Sequence, residues 1–135
     1  MTGTPRLLPV TDDVDTGGFF EAAARGELAL RRCNGCDAVL HVPRAYCRAC
    51  GSWEGRWEPV TPTGTVYSWS VVEHAVHPAF PAPYTVLLVE LDDLPGTRLV
   101  GHLPGRPELR AGAPVIAWFE DVDGTVVPQW RLARS

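Results

Sequence analysis

Lysine is missing altogether from the 135 residues, so the fixed positive charge of the chain rests on twelve arginines. That removes Schiff-base chemistry, which needs a lysine amine. Long apolar runs are missing as well. The uncharged apolar stretch Tyr84 to Val89, for example, is closed off by Pro83 and Glu90, and a bilayer span takes ~20 apolar residues. The first 18 residues hold Pro5, Pro9, Asp12, Asp13 and Asp15 and no apolar segment of signal-peptide length. The expectation is a soluble, cytoplasmic protein without a membrane partner. No G-x-G-x-x-G, no phosphate loop and no serine in a nucleophile-elbow setting occurs, so the commonest nucleotide and hydrolase motifs are excluded. There is no internal repeat and no low-complexity tract.

An excess of positive charge is also lacking. The formal net charge is −4, and it is uneven. Residues 59–135 carry five arginines against eight acids, whereas residues 31–58 carry five arginines (Arg31, Arg32, Arg44, Arg48, Arg56) against three acids. An acidic whole disfavours a general nucleic-acid binder, whose affinity comes mainly from neutralising phosphates. The weakly basic middle leaves room for a local anion contact.

What is present falls into three segments: residues 1–30, an N-terminal arm and helix; residues 31–58, a cysteine module; and residues 59–135, strands and turns. In the first, Phe19-Phe20-Glu21-Ala22-Ala23-Ala24-Arg25 is a run of helix formers stopped by Gly26. So short a helix needs its Phe19/Phe20 face docked, either on this chain or on a partner. In the third, five strands are expected: Gly64 to Val72, Thr85 to Leu91, Arg98 to Leu103, Val115 to Glu120 and Thr125 to Leu132. Pro95-Gly96 and Asp123-Gly124 supply turns, and Pro128 demotes the last strand to an edge or bulge. Five short strands with no helix-period segment among them predict a small five-stranded OB-type barrel, making the chain mainly β. The long connection Glu73 to Pro83, with Phe80 and three prolines, reads as stiff and apolar.

The second segment carries the strongest signal. Cys33, Cys36, Cys47 and Cys50 form two C-x2-C pairs ten residues apart. Two such knuckles facing one another place four sulfurs around one tetrahedral metal. Each knuckle needs a left-handed residue after its second cysteine, which Gly51 adopts freely and Asp37 tolerates. Four cysteines leave no coordination position for water or substrate, so the site is structural. Zinc is the expected occupant; iron in a rubredoxin-like centre would use the same ligands. Two disulfides would need an oxidising compartment, and a redox pair would need a neighbouring βαβ unit, of which there is no trace.

These features together resemble a known family, the acyl-CoA-associated proteins in which a rubredoxin-like zinc ribbon precedes an OB fold. The resemblance rests on Phe19-Phe20-Glu21-Ala22, Gly26-Glu27-Leu28, Arg32-Cys33-Asn34-Gly35-Cys36, Pro43-Arg44, Cys47-Arg48-Ala49-Cys50-Gly51-Ser52 and Trp57. It continues through Gly64 to Val72, Pro83-Tyr84, Val89-Glu90-Leu91 and Gly112-Ala113-Pro114-Val115, covering about residues 19–132. Where family members often have Gly after the first cysteine pair, this chain has Asp37. The resemblance implies a non-catalytic accessory subunit that pairs with a thiolase-fold enzyme (a thiolase, steroid side-chain aldolase or acyltransferase) and helps form its acyl-CoA site. A MaoC-type enoyl-CoA hydratase is the alternative partner. It supplies no catalytic residue. A nucleic-acid-binding ribbon and barrel is the rival reading from another class.

The other candidates for chemistry are scattered. His41, His74, His77 and His102 are scattered; His74 and His77 lie three apart, in a loop that lacks carboxylates beyond Glu73, and Asp92, Asp93, Asp121 and Asp123 sit in turn contexts. Arg98, Arg106 and Arg110 are possible contacts for CoA phosphates, with nothing in the sequence to choose among them.

Overall fold

The computed structural model describes residues 7–133, which fall into two compact units. One comprises residues 10–62 and 119–128; the other comprises residues 7–9, 63–118 and 129–133.

The first unit is built on helix α1 (Gly17–Ala24) and a three-stranded antiparallel sheet in the order β2-β1-β3, with β1 Leu28–Cys33, β2 Val39–Leu40 and β3 Gly55–Val60. The helix starts two residues before the expected Phe19, taking in both glycines. The reason is packing: a Cβ on Gly18 would overlap the indole of Trp57. Gly26 ends the helix in a left-handed conformation (φ 77°). Its N–H bonds Ala23 O, and the N–H of Glu27 reaches back to Ala22 O at 2.9 Å, closing a Schellman cap. Ala22 and Ala23 are fully buried, and so are Leu28, Ala29 and Leu30 of β1. The helix therefore docks on this chain's own ribbon, and the ring of Phe19 lies 6.1 Å from that of His41.

A five-stranded antiparallel sheet in the order β6-β5-β4-β7-β8 organises the second unit, with the end of its fourth strand and the start of its fifth (residues 119–128) counted in the first. The strands are β4 Thr63–Val72, β5 Tyr84–Leu91, β6 Arg98–Pro104, β7 Pro114–Val122 and β8 Thr125–Leu132. Counted from β4 as one, that order is 3-2-1-4-5, the Greek-key arrangement of a partly open OB barrel. The outer strands β6 and β8 approach where Gly101 lies under the buried Trp130: a Cβ on Gly101 would stand 2.8 Å from the indole. β8 is an edge strand, as Pro128 requires, and Asp123 (φ 52°) with Gly124 (φ 90°) makes the expected hairpin turn.

The core-facing row of β5 is Thr85, Leu87, Val89 and Leu91, all buried; Val66 and Leu99 flank Val89 on the neighbouring strands, and Val115 of β7 is buried too. Thr85, the buried polar residue, donates its hydroxyl to Gly105 O at 2.8 Å. Alternation along β4 breaks between Val66 and Ser68, where one residue is inserted into the pairing. The insertion re-aims the side chains of the strand's second half. Trp69 pairs with Leu87 and Val71 with Thr85, so both extend the core-facing row, yet both remain exposed. Phe80, in the connection from β4 to β5, is half-buried beside Tyr84 (6.2 Å between rings) and His102 (6.0 Å).

Candidate metal centre

Backbone turns at the end of β1 and after Ala45 carry the four cysteines toward one another. The N–H of Asp37 bonds Cys33 O at 2.9 Å, and the N–H of Gly51 bonds Cys47 O at 2.8 Å, so the two knuckles repeat one geometry. Asp37 (φ 66°) and Gly51 (φ 79°) occupy the left-handed positions expected of them.

All four sulfurs lie within 4.8 Å of one another, with Cys33 Sγ 3.5 Å from Cys50 Sγ and Cys36 Sγ 3.6 Å from Cys47 Sγ. A tetrahedron of sulfurs about 2.3 Å from a central zinc has edges of about 3.8 Å, so the set fits a metal of that size. Cys33 and Cys47 are buried, whereas Cys36 and Cys50 face solvent. The electrostatics point the same way. Backbone N–H groups of Cys36 and then Gly35 hold the Cys33 thiol down to about 6 despite its burial, the latter at 3.2 Å from the sulfur. At Cys50 the Ser52 N–H pulls the other way, yet the neighbouring sulfur of Cys33, desolvation, and Cys36 and Cys47 push the thiol up to about 12. Thiolates so crowded need a cation among them before all four ionise. The donor set thus matches a soft, tetrahedral metal and leaves no open position.

Around the first knuckle lies a ring of alternating charge that the sequence did not reveal. Arg56 Nε donates to Glu58 at 2.8 Å and its Nη2 to Asp37 at 2.5 Å. Arg32 Nε donates to the other Glu58 oxygen at 3.0 Å, and its Nη1 lies 3.5 Å from Asp37. Arg56 also reaches Asn34 Oδ1 at 2.9 Å, tying the knuckle to β3. Hydrogen bonds from Arg56 first, with charge from Arg32 and Arg56, hold the Asp37 carboxyl below its ordinary range; Glu58 is lowered by the same neighbours, Arg56 foremost. Asp37 read only as a turn residue because the ring depends on the register Arg32↔Arg56 between β1 and β3, which no local pattern encodes.

The other candidates stay apart. His74 is exposed, and His77 Nδ1 accepts the N–H of Ala79 at 3.0 Å within its own turn. His102 stacks on Tyr84 at 5.0 Å. Arg98 lies 3.8 Å over the ring of Tyr67, and Arg106 pairs with Glu73. Among the described residues, the four cysteines are the group of ligand-type side chains that converges.

Fold and site together define a two-part protein, a four-cysteine ribbon and an OB barrel. Comparison with known families finds both parts: the zinc-ribbon domain described as "ChsH2, rubredoxin-like zinc ribbon domain" matches residues 20–54, and "ChsH2, C-terminal OB-fold domain" matches residues 57–120. A chain of a solved Ltp2-ChsH2(DUF35) aldolase is 36% identical, with a TM-score of 0.80 over 93% of this chain and 100% of that one. The chain belongs to the ChsH2 (DUF35) family. A DUF35 protein of unknown function from Sulfolobus solfataricus, 14% identical, shares the fold (TM-score 0.58, covering 87% of this chain and 84% of that one). A relative from Thermomonospora curvata named a probable enoyl-CoA hydratase alpha subunit is 40% identical over 124 residues, or 88% of this chain. The chain spans 38% of that relative's length. Among the described residues, no helix is long and apolar enough to cross a membrane.

Proposed function

We propose that this chain is a non-catalytic accessory subunit, stapled by one structural zinc on Cys33, Cys36, Cys47 and Cys50, that pairs with a thiolase-fold acyl-CoA enzyme and helps form its acyl-CoA site. The observation that carries the reading is the likeness, over the whole of the matched chain, to a component of the Ltp2-ChsH2(DUF35) aldolase. Two features of the molecule agree with it. The closed four-sulfur site offers no position for substrate, so its contribution is to fold the ribbon. The barrel leaves Tyr67, Trp69, Val71, Val100 and Trp118 exposed, more large apolar side chains than a free surface of this size needs. A partner would cover them.

The name of the Thermomonospora curvata relative favours a second partner class, an enoyl-CoA hydratase. Both partners handle CoA thioesters, and the two readings share the accessory role. The test is co-expression with a thiolase-fold enzyme or with a hydratase encoded beside it, followed by size-exclusion chromatography. Co-elution with one of them is the expected result; separate elution from both contradicts the proposal. An obligate interface of this kind should bury about 2,000 Å² or more.

A further inference from the structure

The ribbon carries two arginines for which the metal site and the charge ring have no use. Arg44, half-buried, and Arg48, exposed, meet no carboxylate among the described residues. The nearby acids are engaged elsewhere: Asp37 by Arg56 and Arg32, and Asp15 by the N–H of Ala45 at 2.7 Å. Both arginines line an open cavity of about 400 Å³ together with His41, Val39 and Ala49, and no acidic residue lines it. His41, which lines the same cavity, is half-buried.

We propose that His41, Arg44 and Arg48 form an anion site on the zinc ribbon that takes the phosphate groups of a small phosphorylated ligand. Guanidinium groups bind phosphate through paired, charge-assisted hydrogen bonds and stay charged when partly buried. Burial pushes the His41 imidazole down to about 4, so at neutral pH it is uncharged and offers a single N–H donor. Two fixed cations and one neutral donor, with no carboxylate lining the cavity, suit a diphosphate better than a carboxylic acid. Val39 and Ala49 give the cavity an apolar side as well. Free pyrophosphate and the nucleotide end of a CoA thioester share this chemistry. Assigning the site to CoA rests on the accessory reading above, whereas the anion site itself does not.

The experiment is calorimetric titration of the full, zinc-loaded chain with pyrophosphate, CoA, pantetheine and a single-stranded oligonucleotide, at one fixed salt concentration. Pyrophosphate and CoA should bind, pantetheine should not, and Arg44→Gln and Arg48→Gln should each weaken binding about tenfold, a difference of about 1.4 kcal/mol. CoA binding more tightly than pyrophosphate would extend the site to the nucleotide of CoA. Pyrophosphate binding as tightly as CoA, or more so, would keep the anion site and remove that extension. Zinc content and thermal unfolding of both variants should match the parent. Absence of pyrophosphate binding, or equal binding by the double variant, would overturn the proposal. So would loss of zinc from the variants, which would make these arginines counter-charges of the tetrathiolate, and so would tighter binding of the oligonucleotide than of CoA. Co-elution with the acyl-CoA partner is measured separately, so failure of the anion site and failure of the accessory reading are distinguishable.

Discussion

Cys47, like Cys33 in the first knuckle, has two roles in this ribbon: its side chain is buried and its carbonyl accepts the turn that shapes the second knuckle. Replacing it by serine keeps the turn but removes a soft ligand. Structural zinc contributes on the order of 10 kcal/mol to folding in modules of this size. Cys47→Ser should therefore lower zinc below one ion per chain in elemental analysis and abolish cooperative melting of the ribbon; full zinc content in the variant would contradict the assigned ligands. The charge ring makes a second residue-scale prediction. Folding depresses the carboxyl pKa of Glu58, so its contribution is complete above the ordinary carboxylate range and is lost as pH falls through the folded value. Glu58→Gln should destabilise the protein at pH ~7, and the difference from the parent should shrink as pH falls below the ordinary carboxylate range. Parallel stability curves across that range would rule the ring out.

Elements were legible where a local rule specifies them. All five barrel strands lie within two residues of their expected ends, because β-branched alternation and the Pro95-Gly96 and Asp123-Gly124 turns bound them. The helix stop at Gly26 was equally readable, since a left-handed cap is what glycine permits. Its start was not: Gly17 and Gly18 are poor helix formers, and only the approach of Trp57 from another strand explains their place in α1. The two-residue β2, the inserted residue in β4 and the Arg32↔Arg56 register are likewise set by partners distant in sequence. At the candidate metal site, the convergence of the four cysteines was legible in their spacing alone, while the charges and hydrogen bonds around them were not. The approach of β6 to β8 is the element-scale feature most open to test. Gly101→Val would drive a branched side chain into the Trp130 ring, and such overpacking costs about 1–3 kcal/mol. Denaturant unfolding should show that loss with zinc content unchanged; an undiminished midpoint would mean that Trp130 moves freely away.

At the scale of the whole molecule, two small units of one short chain each solve the problem of a limited core differently. The ribbon relies on its sulfur cluster, and the barrel on a row of buried aliphatic side chains that continues into Trp69 and Val71, beyond the point where burial ends. A surface of that kind is completed by association. The central claim is that the chain acts by completing an acyl-CoA enzyme. The most direct measurement is steady-state turnover of the purified partner on its acyl-CoA substrate, alone and with this chain added in equimolar amount. Turnover should rise steeply with the chain and saturate at one subunit per catalytic subunit; a partner fully active alone and unchanged by the addition would contradict the account.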